Sequence, residues 1–284
     1  MNKLVNIFIV GLLLNTSVQA KEVKASPGYS YFTIGVENVT YKESGSGVSS
    51  TATTSSPILN TGGLFLVNDQ FDFSLDALAT FSPSESTEKW ESASGTLMQK
   101  NSYEYSNAET RLLVHYKYTP EWRILFGPSF RYQSYTRSDL RSLNGYSNSV
   151  FKEGSTWKES STDLSINVGL GYDSGSLFKS DKIHSSFKWV AGVPAWSHTE
   201  NTRLSGGEFS YFGYHTMLSG NISYQVIRGL HLGWYVNLKY EKRFESGSES
   251  VTYREGDNLV SASAILPEAE TYGFSTGLQL LWKL

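Results

Sequence analysis

No cysteine occurs among the 284 residues. A small exported domain stapled by disulfides, a thiol nucleophile and a cysteine-ligated zinc are thereby excluded. Beyond residue 20 no apolar run approaches the roughly 20 residues that a spanning helix needs, and no stretch keeps a 3.6-residue period. A basic excess is also missing. Lys and Arg number 24 against 27 Asp and Glu, for a net charge of −3, and no basic stripe points to nucleic acid. Stability must then come from a large core or from a sheet closed on itself.

What is present begins with "MNKLVNIFIVGLLLNTSVQA". A short basic head at Lys3, an apolar run from Leu4 to Leu14 and small residues before Ala20 read as a secretory signal. The run is too short for a membrane anchor. Residues 1–20 are expected to be removed, leaving 21–284 as one exported unit with 23 basic and 27 acidic side chains.

Aromatic residues make up 14% of the chain, with 18 Tyr, 7 Trp and 25 Gly. Strand formers separated by Ser, Asn and Gly clusters predict an all-β chain. In "LSINVGLGY" the residues Leu164, Ile166, Val168, Leu170 and Tyr172 alternate with Ser165, Asn167, Gly169 and Gly171, the two-residue period of a strand. Ten such segments are readable: 29–41, 57–67, 71–81, 102–118, 123–135, 162–172, 185–198, 209–226, 230–243 and 270–284. Most exceed the usual 5–6 residues of soluble strands and suit a tilted membrane strand.

The gaps between segments alternate in length. Short "NDQ", "TPEW" and "IRG" take turns with long polar stretches such as "KESGSGVSSTATTSS", the signature of short periplasmic turns and long outer loops. Only "DSGSLFKSDKIH" is longer than a tight turn on the short side. The expected fold is a ten-stranded antiparallel transmembrane β-barrel with both ends of the chain at the periplasmic side. In the final segment, Tyr272 to Leu284, alternate residues are apolar, and it must pair with the first strand because an open edge in lipid leaves backbone groups unsatisfied. This segment also resembles the C-terminal signal of outer-membrane proteins that engages the barrel-assembly machinery, with Leu284 where an aromatic is usual. Outer-membrane lipid and lipopolysaccharide are the partners such a location implies, and an extracellular ligand is left unnamed.

The same alternation turns charge inwards. Asp76, Glu109, Arg111, Arg131, Lys188, Lys239, Glu241 and Arg243 all fall on the face away from lipid. With both signs present in a narrow barrel, they are expected to pair into a plug; a polar path for a small solute is the alternative. Recognised catalytic motifs are missing, and the five histidines show no metal-ligand spacing, so no metal or cofactor is expected. His215, Ser219 and Asn221 share one face, but inside the lumen.

Strand number, length and long outer connections resemble the omptin proteases, ten-stranded barrels that activate a water at the outer rim with an aspartate pair facing an Asp–His pair. The resemblance covers architecture. At the corresponding places this sequence offers His198 and Glu200 on one side and Glu85, Glu88 and Glu91 on the other, with no aspartate pair. A non-catalytic surface role is therefore the leading expectation, ahead of a narrow channel and an omptin-like rim protease.

Overall fold

The computed structural model describes residues 28–146, 153–175, 177, 182–255 and 258–284; the expected leader lies outside them. Ten staves close into a barrel. They are β1 (Gly28–Gly45), β2 (Val48–Leu66), β3 (Phe71–Thr80) continued upward by β4 (Glu85–Ser92), and β5 (Leu97–Lys117). After them come β6 (Trp122–Ser142), β7 (Trp157–Asp173), β8 (Ile183–Asn201), β10 (Gly213–Ile227), β11 (Leu230–Arg243) and β14 (Glu268–Lys283). Each pairs antiparallel with its neighbours in chain order. Closure comes from β14, which pairs β11 on one side and β1 on the other, Tyr29 opposite Lys283. Every stave of the ring thus has a hydrogen-bonded neighbour on both sides, as lipid demands.

Ten strands, their order and their faces agree with the alternation in the sequence. Val168 is 60% exposed on the outer wall, whereas its neighbour Asn167 is fully buried. Outward Leu, Ile, Val and Phe form a belt, edged by Tyr118, Trp122, Tyr224 and Trp282 at the end that carries the short turns. Such a belt with aromatic edges is what a hydrocarbon layer selects.

The long polar stretches are different from what was expected, for most of them are strand. β1 runs on to a two-residue turn at Ser46 and Gly47, whose φ values are 50° and 77°. Two positive φ values give the turn whose twist matches that of the flanking strands. Likewise β4 pairs both β2 and β5 where a loop was expected. The reason is physical. Above the belt both faces of a strand may be polar, so Ser49, Thr51, Thr53 and Ser55 extend β2 without any hydrophobic period to reveal it. The 21 residues of β5 reach about 70 Å along the strand, roughly 50 Å along the barrel axis at ordinary tilt, twice the belt's height of about 25 Å. The barrel therefore stands well clear of the membrane. On top, β9 (Leu204–Phe209), β12 (Glu249–Glu255) and β13 (Asn258–Ala264) bury Phe209, Val251 and Leu266. The long turn after β7 also has a structural use, because Leu177 packs into the barrel base against Tyr29, Leu64 and Leu281.

Candidate functional site

The lumen is filled in tiers. At the base, Asp72 accepts Lys117 at 2.7 Å and Arg123 at 3.0 Å. Beside it the Tyr29 hydroxyl donates to Asp173 at 2.8 Å, and His184 lies 3.3 Å from the same carboxylate. An apolar cluster of Tyr29, Tyr31, Leu64, Leu177 and Leu281 packs at this end.

In the middle tier Lys188 meets Asp76 at 2.9 Å, and the Tyr31 hydroxyl also donates to Asp76. Gly62 makes that reach possible, since a Cβ there would come within 2.7 Å of the Tyr31 oxygen. Glu109 pairs with Arg111 and, at 3.4 Å, with Lys239. Arg131 bridges Asp163, at 2.7 Å, to Glu241. Arg243 meets Glu159 at 3.1 Å. All eight charges assigned to the inner face are thus inside, and all eight are engaged. Seven of them pair within the expected set, as Lys188–Asp76, Arg111–Glu109, Lys239–Glu109 and Arg131–Glu241; Arg131 also reaches Asp163, and Arg243 reaches Glu159, which lay outside it.

Above these pairs Arg137 organises a top tier. Arg137 donates to Glu88 at 2.8 and 3.0 Å and to Glu43 at 2.9 Å. Its guanidinium lies over the rings of Tyr41, Trp90 and Tyr103 at 5.7–5.9 Å, an attractive cation–ring arrangement. Tyr41, Tyr103, Tyr105 and Tyr135 complete a buried aromatic layer across the lumen. Glu88 is fully buried. Burial alone would push its carboxyl up, but the charge of Arg137 and hydrogen bonds from Arg137 and Asn101 outweigh that and hold it below the ordinary carboxylate range. Arg137, Glu43 and Glu159 lie above the belt, where no alternation marked the segment, and Asp163 was readable by parity but not by partner.

The rim candidates do not converge. His198 and Glu200 bond each other at 2.9 Å on the outer wall, where the His198 ring lies parallel to Trp196 at 6.3 Å. Glu88 is spent on Arg137 inside the barrel, and Glu91, three residues along β4, is exposed on the opposite face. Among the described residues, the acid paired with His198 is its own strand neighbour Glu200. His215 bonds Asn167 at 2.8 Å, not Ser219, and Asn221 bonds Ser186 at 2.6 Å. Among the described residues, no group of three His, Asp or Glu side chains could hold a metal.

Between the middle and base tiers lies a cavity of about 70 Å³; two smaller lumen voids are about 10 Å³ each.

No family model and no curated protein sequence matches the chain. Among solved structures, the outer membrane protease OmpT from Escherichia coli is similar with a TM-score of 0.59 and 12% identity, over 94% of this chain and 99% of that one. The translocator domain of the autotransporter NalP from Neisseria meningitidis has a TM-score of 0.35 and 8% identity, over 95% of this chain and 91% of its own. The outer membrane protein OprG from Pseudomonas aeruginosa has 0.34 and 11%, over 92% and 96%. At these identities the first likeness is one of fold. The chain folds as an outer-membrane β-barrel, and its belt and closed ring place it in that membrane.

Proposed function

We propose that this barrel is a non-catalytic, non-conducting surface protein that carries polar hairpins above the outer membrane to meet an extracellular ligand. The observation that supports this reading is the tiered seal. A conduit needs a continuous polar path, and this lumen is crossed by Arg137 with its tyrosines above and by the Tyr29–Leu177 cluster below. Meanwhile the staves spend about half their length outside the belt, which a passive membrane plug does not require. Contact with lipopolysaccharide around the belt and delivery by the assembly machinery through Tyr272 to Leu284 belong to the same reading.

The test is planar-bilayer recording of the refolded protein together with cleavage of a peptide library. Neither discrete conductance steps nor peptide cleavage is expected. The likeness to an outer-membrane protease keeps one competing reading alive, and His198 is its handle. Cleavage that disappears in His198→Ala would replace the surface role with a rim peptidase. Sustained single-channel steps would replace it with a pore.

A further inference from the structure

The 70 Å³ chamber is walled by groups that lack hydrogen-bond partners. Both side-chain atoms of Asn107, the side-chain oxygens of Asn221, Asn237 and Gln279, and the Nε of Arg111 have none. Asn107 and Asn237 are each 3% exposed, Gln279 1% and Arg111 5%. All of them line this one space. Glu37 joins them. It is 4% exposed, its one hydrogen bond comes from Ser275 at 3.5 Å, and no cation lies within ion-pair distance among the described residues. The nearest candidate, Lys239, is engaged by Glu109 at 3.4 Å and lies 4.0 Å from Glu241.

Leaving so many polar groups unmet inside a barrel is costly. Each such group loses its hydration without gaining a partner, and buried polar groups are nearly always satisfied. The inventory says what would satisfy them. Three carboxylates (Glu37, Asp76, Glu109) face three cations (Arg111, Lys188, Lys239) across the space, so an added ion of either sign meets as much repulsion as attraction. The unmet atoms include both donors and acceptors. A neutral species that donates and accepts is required, and the volume admits only a few heavy atoms.

We propose that the chamber is a built site for a cluster of ordered waters, on the order of five at 10–15 Å³ each, which solvate Glu37 and join it to Asn107, Asn237 and Lys239. The middle of the plug is then wet but closed, while the aromatic tier above is dry. The closure rests on the sealed lumen proposed above; the hydration does not.

Hydroxyl radicals generated from water by a brief X-ray pulse report on this directly, because a buried ring is hydroxylated only where a water touches it. The refolded protein in nanodiscs would be pulsed, and tyrosine hydroxylation read by mass spectrometry. Tyr235 and Tyr31 line the chamber, Tyr105 is buried in the aromatic tier with its hydroxyl taken by Gln133 at 3.1 Å, and Tyr118 is 77% exposed at a periplasmic turn. We expect Tyr235 and Tyr31 to be labelled and Tyr105 to stay silent. After mixing with H₂¹⁸O, the heavy product should appear at Tyr118 at once and at Tyr235 only after a delay. Filling the chamber with Asn107→Leu should lower labelling of Tyr235 severalfold. A silent Tyr235 in the wild-type protein would refute the water cluster while leaving the seal intact. Heavy label at Tyr235 as fast as at Tyr118 would refute the closed chamber and the sealed lumen together.

Discussion

Replacing Arg137 by Met should be among the most damaging single changes in the barrel. The side chain is 2% exposed, and its three charge-assisted bonds reach Glu88 and Glu43 at 2.8–3.0 Å. Met fills similar space, so the loss is chiefly electrostatic. Glu43 keeps Arg243 at 3.8 Å, but Glu88 keeps no cation and is left with neutral donors such as the amide of Asn101 at 2.8 Å. Removing one partner of a buried pair typically destabilises by about 3–5 kcal/mol, and that is the loss expected at pH 7. The pH dependence should also change sign. In the wild-type protein the Glu88 carboxyl sits below its ordinary value, so its contribution is present above the unfolded value of about 4.3 and is lost as pH falls through the folded one. In Arg137→Met the stranded carboxyl is pushed above 4.3, so the folded state binds the extra proton and acid becomes stabilising. Each pH unit over which it titrates returns about 1.4 kcal/mol. Unfolding of the refolded barrel, followed by heat-shifted gel mobility and tryptophan fluorescence from pH 4 to 8, measures this. Glu88→Gln on top of Arg137→Met should restore most of the loss, since no charge is then stranded. Parallel pH profiles for wild type and Arg137→Met, or a double variant no better than the single, would show that Arg137 acts through packing alone.

Neutralising Asp76 and Glu109 together should strand Lys188 and Arg111 in the middle tier, leave Lys239 with Glu241 at 4.0 Å, and lower stability by about 3–5 kcal/mol; an unchanged melting point with a large conductance would mean a hydrated pore in which these charges are screened. On the outer wall, Val168→Arg should destabilise by about 2–4 kcal/mol, whereas Thr87→Arg, exposed on β4 above the belt, should stay within about 0.5 kcal/mol; equal penalties in denaturant titrations would move the belt. Because the chain has no cysteine, orientation is testable with single introduced thiols. Ser94→Cys should react with a membrane-impermeant maleimide on intact cells and Arg228→Cys only after lysis, and the reverse order would invert the topology.

The alternation in Leu164 to Tyr172 was enough to decide which faces meet lipid, because hydrocarbon allows only apolar side chains and a strand places every second one there. It also sent Asp76, Arg131 and their companions inward and counted ten staves. It did not disclose β4, or the upper halves of β1 and β2. In water both faces of a strand may be polar, and the signal that reveals strands is a contrast between faces. Nor did it disclose partners. Arg131 and Glu241 are 110 positions apart in the chain and Arg137 and Glu43 are 94 apart, and only register and closure bring them together. Nor did it disclose how tightly an inward residue is held: Asn167 faces the lumen by parity alone, but the closed barrel packs it between Ser129 and His215 with three bonded neighbours. Periodicity is a local property fixed by the solvent each side chain meets, so the sequence determines it alone. Whether the inner charges enclose a path or a seal depends on how far apart opposite walls stand, and only the closed barrel decides that distance.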